Sequence, residues 1–135
     1  MSETPTHRGL VELLASRVAA DYGVVTHADG FGTYDTPPAV GRHEPDVLAR
    51  DANGRAVIGE AKQGDDLFTD HSQEQLCDFS TQVDRLGRPS LLVLGVPAGW
   101  ATHAYRAVRQ AGGDTACTTI IEFDLPGAPR PPDVA

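Results

Sequence analysis

The chain has 135 residues, 40% of them apolar, enough for one packed core but not for two. No apolar run approaches the roughly 18 to 20 residues of a membrane-spanning helix, and the start, Met1-Ser2-Glu3-Thr4, lacks the basic-then-apolar order of a secretory signal, so a soluble, cytoplasmic chain with no membrane partner is expected. Nineteen acids against eleven bases give a net charge of −8, which argues against a protein that grips nucleic acid by bulk positive charge; ten of the bases are Arg, and Lys62 is the only lysine.

Residues 8 to 22 read as a helix, because Leu10, Val11, Leu14, Ala15, Val18 and Tyr22 share one face and Gly23 follows as a stop. Residues 23 to 27 read as a short strand. The Gly- and Pro-rich stretch from Asp29 to Gly41 is long for an idle connection and is a candidate functional loop. Residues 45 to 50 and 55 to 62 read as strands around Asp51-Ala52-Asn53-Gly54. If Ala52, Asn53 and Gly54 form a three-residue hairpin loop, Asp51 faces Arg55 and Asp46 faces Glu60. Asp46, Glu60 and Lys62 then project from one side of the sheet. A two-residue Asn-Gly turn would instead place Asp46 opposite Ala61.

A polar connection, 64 to 71, leads to a second helix expected to begin at Ser72 with Gln75 as its capping-box partner, to carry the stripe Leu76, Phe79, Val83, Leu86, and to stop at Gly87. Ser90 to Val96 is a continuous apolar run, the pattern of a strand covered on both faces. A third helix over about 99 to 111 and a strand over 116 to 123 complete the order αβββαβαβ, an α/β (α+β) fold with a mixed sheet flanked by helices. The domain is expected within residues 1 to 125, with 126 to 135 a Pro-rich, extended, mobile tail.

Cys77 and Cys117 form no CxxC pair and read as small apolar residues rather than a disulfide. His7, His27, His43, His71 and His103 show no HExxH and no i, i+4 pair, which argues against a histidine-built metal site. Asp46 and Glu60 are different. Two facing carboxylates beside a lone amine repel and raise one pKa, and a hard divalent cation, Mg2+ or Mn2+, removes that cost. Such an ion activates water against a phosphodiester, and Lys62 could orient that water or stabilise developing charge.

Pro45-Asp46, thirteen residues, then Glu60-Ala61-Lys62 resembles the PD-(D/E)xK nuclease superfamily, whose motif lies on such a hairpin in a restriction-endonuclease-like αβββαβ core. The resemblance covers residues 8 to about 96. It implies that Asp46 and Glu60 bind the metal, that the Ala61 carbonyl is a further ligand, that Lys62 serves the attacking water, and that Glu12, the only Glu of the first helix, joins as ligand or ligand-orienting acid. The small size, Glu12 and the Gly-rich lead into Pro-Asp are similar to archaeal Holliday-junction resolvases, which are generally basic, as this chain is not. The run from Glu60 to Leu67, followed by Ser72 to Leu76, is equally similar to the VRR-NUC branch, where a Gln on the next helix approaches the site; here that is Gln75.

Each residue also has a plainer reading. Glu12 lies at the edge of its helix's apolar stripe and is read equally as a solvated acid, while a capping box already employs Gln75. Asp65 and Asp66 read as a polar turn, His43 and His71 as exposed polar residues, Trp100 with Tyr105 and Val108 as core, and Arg106 and Arg109 as a solvated face; Tyr34 either packs or contacts a nucleotide. The leading expectation is a metal-dependent DNA endonuclease acting on branched or duplex DNA, structure-selective and homodimeric. The alternatives are a nuclease-fold subunit active only with a protein partner that supplies DNA recognition, and a nuclease-like fold that has lost activity.

Overall fold

The structure, a computed structural model, describes residues 5–29 and 34–132. Helix α1 (Pro5–Asp21) begins earlier than its apolar spacing indicates, because proline is well suited to a first helical turn that has no N–H partners to lose. Its Leu10, Val11, Leu14, Ala15 and Val18 are all buried. Strand β1 (Val24–Ala28) follows, then an irregular stretch of which residues 30–33, part of the candidate functional loop, lie outside the described residues. Strands β2 (Val47–Arg50) and β3 (Ala56–Ala61) form the expected hairpin.

A 3-10 turn (Gly64–Phe68) leads into α2 (Asp70–Ser80), then come β4 (Leu91–Pro97), α3 (Ala101–Gln110), a second 3-10 turn (Thr115–Cys117) and β5 (Thr118–Phe123). Helix α2 is shorter than the spacing of its apolar residues suggests. It ends at Ser80, and Val83 and Leu86 lie beyond it at 61% and 77% exposure. The cause is Asp84, whose Oδ1 accepts the amides of Leu86 and Arg88, each at 2.9 Å, and so draws the chain into a turn instead of a helix.

Among the described residues five strands form one sheet in the order β1-β2-β3-β4-β5, antiparallel from β1 to β3 and parallel from β3 to β5. With the three α-helices found among the described residues this is an α+β fold built on a mixed sheet. Side-chain alternation divides the interior in two: Val47, Ala49, Val57, Ala61 and Val93 pack with α1, while Ile58, Leu92, Leu94 and Val96 pack with α2 and α3. Among the described residues no helix is long and apolar enough to cross a membrane.

The end of the chain is more engaged than an extended tail. Trp100 is buried, and its Nε1 donates to the Pro129 carbonyl at 2.9 Å, so the segment up to residue 132 passes over the start of α3; residues 133–135 lie outside the described residues. Cys77 and Cys117 are both free and half-buried.

Candidate functional site

A turn at one end of the β2–β3 hairpin determines what meets at the other. The Asp51 amide donates to the Arg55 carbonyl at 3.0 Å, the Gly54 amide donates to the Asp51 carbonyl at 3.0 Å, and Gly54 takes a φ of 76°, which only a residue without Cβ adopts freely. This is the three-residue loop. The pairs Arg50/Ala56, Ala49/Val57, Leu48/Ile58 and Val47/Gly59 follow from it, and the register brings Asp46 and Glu60 to the same end of the hairpin.

At Asp46 the regular pairing gives way to side-chain bonds, since Pro45 has no N–H with which to continue it. The Asp46 amide donates to the Gly59 carbonyl at 3.1 Å and to Glu60 Oε1 at 3.2 Å. The Ala61 amide donates to Asp46 Oδ2 at 2.8 Å. In a strand the amide and carbonyl of one residue point to the same neighbour, so the Ala61 carbonyl is also directed to the Asp46 side. Two carboxylates are thus fixed by main-chain amides, and both are buried, Asp46 at 8% and Glu60 at 2% exposure.

That arrangement is electrostatically costly. Burial, and next the charge of Asp46, push the Glu60 carboxyl well above its ordinary value, while Lys62 pulls the other way. Lys62 is itself buried; its Nζ lies 3.3 Å from Glu60 Oε2 and donates to Gln75 Oε1 on α2. Gln75 is free to do so because the capping box at Ser72 does not form. Thr69 caps α2 instead, its hydroxyl accepting the Ser72 amide at 3.2 Å, and the buried Gln75 turns toward the amine.

Asp46, Glu60, Lys62 and Gln75 therefore come together, with the Ala61 peptide between them. Glu12 does not join them: it is exposed on α1. The α1 side chain that reaches the site is His7, whose Nε2 lies 3.5 Å from Asp46 Oδ2, and Glu12 is about 140° round the helix from it. The sequence carried a signal for His7, which extends the buried Leu10 and Leu14 row by one turn.

The remaining candidates fall elsewhere. Asp65 and Asp66 are exposed on the 3-10 turn, Tyr34 and His71 are exposed, and Arg106 and Arg109 lie on the outer face of α3. Tyr105 is 48% exposed, so it is not core, whereas Trp100 and Val108 are. His43, expected at the surface, is half-buried: its ring meets His71 edge-on at 5.1 Å, and its Nε2 lies 3.7 Å from Asp78 Oδ2. Among the described residues no three His, Cys, Asp or Glu side chains form a ready-made metal cage. Mg2+ does not require one, because it retains several waters and takes one or two protein carboxylates together with a substrate phosphate.

No family model, curated protein or solved structure matches the chain. The chemistry open to the site is accordingly read from its own groups. A strained pair of buried carboxylates offers oxygen ligands whose mutual repulsion a divalent ion would relieve. Lys62 carries three N–H bonds and meets Gln75 and Glu60 among the described residues, so one N–H remains there for a bound water or phosphate.

Proposed function

We propose that the chain is a divalent-metal-dependent endonuclease that hydrolyses DNA phosphodiesters, with a restriction-endonuclease-like core and a PD-(D/E)xK site of Asp46, Glu60 and Lys62. The observation that carries this reading is the buried Asp46–Glu60 pair held beside the only lysine of the chain. Two like charges in that position cost stability unless a cation or a proton intervenes, which is why the donor set fits Mg2+ or Mn2+.

Asp46 and Glu60 would hold the ion, with the Ala61 carbonyl directed to the same side. When bound, such an ion supplies positive charge toward a phosphate and makes water more acidic. Lys62, kept in place by Gln75, donates to the phosphate oxygen on which charge accumulates or steadies the attacking water in line with the bond to be broken. The backbone amides at Asp46 and Ala61 limit the movement of both carboxylates, so little reorganisation is needed when substrate arrives. Structure-selective cutting of branched DNA by a homodimer in the cytoplasm, in the manner of resolvase-like or VRR-NUC-like proteins, is the narrower form of the proposal.

The test is incubation of the purified chain with linear, flapped and four-way-junction DNA in Mn2+, Mg2+ or EDTA. Cleavage that needs the metal and is abolished by Asp46→Ala, Glu60→Ala or Lys62→Ala, with the circular-dichroism spectrum retained, is the expected result. Equal cleavage by all three variants would overturn it.

A second reading, a nuclease-fold subunit that cuts only with a partner, is favoured by the charge. Between His43 and Asp70 seven acids outnumber three bases, which accounts for half of the −8, and bound ions would invert the sign only locally. It predicts no cleavage by the chain alone and restoration on adding the partner.

A further inference from the structure

A cleft of about 550 Å³ opens on the α2/α3 side of the sheet, toward the turn end of the β2–β3 hairpin and away from Glu60 and Lys62. Its floor is apolar, formed by Leu48 and Ile58 with Val40 beside them. One wall is the segment 82–90, which is firmly built. Val83 bridges to Pro89, the Asp84 amide donates to the Arg88 carbonyl at 2.9 Å, and the Asp84 carboxylate takes the amides of Leu86 and Arg88. Two arginines brace this wall against the hairpin turn: Arg55 Nε donates to the Pro89 carbonyl at 2.6 Å, and Arg88 Nη1 donates to the Asn53 carbonyl at 2.9 Å.

This braced wall holds Val83 and Leu86 at the rim at 61% and 77% exposure. Two aliphatic side chains fixed in water beside an apolar floor form a continuous patch of the kind that marks an interaction site. The charge of the lining opposes that of the chain: among the described residues Arg50, Arg85 and Arg88 stand against Asp84 alone, in a protein of net charge −8. The arginines are not equally available. Arg88 pairs with Asp84 and Arg50 Nη1 donates to the Gly54 carbonyl, whereas Arg85 is exposed and makes no ion pair among the described residues.

We infer that this cleft is a docking surface for an acidic, aliphatic segment of a partner protein, Arg85 receiving its carboxylates and Leu48, Val83 and Leu86 its aliphatic side chains. A nucleic-acid strand is the poorer fit. Among the described residues no aromatic side chain lines the cleft to stack a base, and exposed Val and Leu gain nothing from a phosphate backbone. Charge complementarity favours an acidic segment, and the rigid rim lowers the ordering cost of binding it. The inference does not depend on cleavage and stands even if the chain proves not to be a nuclease.

A random peptide library displayed on phage, selected on the intact chain, tests it. The selected peptides are then labelled and titrated by fluorescence anisotropy with the unaltered protein, Arg85→Glu and Leu86→Asp. Both positions are exposed, so the fold is retained, as circular dichroism would verify. Enriched peptides are expected to combine Asp or Glu with Leu, Ile or Val, and each variant is expected to weaken their binding by about tenfold or more. Failure to enrich any sequence, enrichment of peptides lacking acids, or equal binding by both variants would overturn the assignment. So would variants that bind the peptides normally but lose affinity for a single-stranded oligonucleotide, which would give the cleft to nucleic acid.

Discussion

The side-chain oxygen of Gln75 accepts a hydrogen bond from the Lys62 amine, joining α2 to the end of β3 inside the protein. Gln75 therefore holds the one amine of the site in place, and its removal leaves that amine with Glu60 as its only side-chain partner among the described residues. Gln75→Ala is expected to lower the single-turnover cleavage rate by about 10- to 100-fold while leaving the half-saturating Mn2+ concentration unchanged. It is also expected to cost about 1–3 kcal/mol of stability for the unmatched donor. A Mn2+ titration of cleavage together with urea denaturation checks both; an unchanged rate would remove Gln75 from the site.

His7 and Glu12 give opposite expectations. His7 touches the Asp46 carboxylate and Glu12 is exposed, so His7→Ala is expected to reduce cleavage by roughly 10-fold or more and Glu12→Ala to leave it within about twofold. Parallel rate measurements on the two variants decide between them. A severe loss in Glu12→Ala alone would restore the role that the PD-(D/E)xK resemblance gives that residue.

Glu60 links the site to pH. Its folded-state pKa lies well above the ordinary 4.5, so across the interval between the two values the folded protein holds a proton that the unfolded chain has released. Stability in EDTA is therefore greatest near the lower bound and falls as pH rises through the folded value. Glu60→Gln is expected to flatten that slope and to raise Tm above pH 7, by about 3–5 °C for each kcal/mol recovered in a domain of this size. Mn2+ is expected to raise the Tm of the unaltered protein more at pH 8 than at pH 5, and to do little for the Gln variant. Thermal melts over that range with and without metal provide the measurement.

Gly64, two residues after Lys62, lies against the Trp100 ring. A Cβ there would sit 2.0 Å from Trp100 Cε2, so Gly64→Ala must displace the indole. The expected cost is about 1–3 kcal/mol. Because the chain has a single Trp, its fluorescence reports the shift directly, through exposure of the ring and loss of the Nε1 bond to Pro129.

Sequence pattern carried much of the sheet. The apolar run into β4 and the turn residues Asn53-Gly54 are local signals, and local chemistry decided both outcomes, including the meeting of Asp46 with Glu60. What escaped the pattern were competitions between equivalent groups. Thr69 and Ser72 both offer a capping hydroxyl; Thr69, whose amide and hydroxyl both donate to the Asp66 carbonyl at the end of the preceding 3-10 turn, takes the cap, and Gln75 is released. Val83 and Leu86 keep helical spacing, yet the Asp84 side chain captures the amides that a helix would need. His7 was legible as one more step of the α1 row, but a polar residue in an apolar row carries no indication of what it will meet.

The Ala52-Asn53-Gly54 loop touches neither carboxylate, and about 20 Å of strand separate it from Glu60. Its influence lies in its length. Shortening or lengthening it by one residue would turn the Glu60 side of β3 away from Asp46 while leaving every site residue in the chain. Substitutions in that loop should be tolerated as long as the third position remains glycine, but a change in residue count should not be. The meeting of the two carboxylates is thus inherited through the length of a surface turn as much as through the identity of the acids.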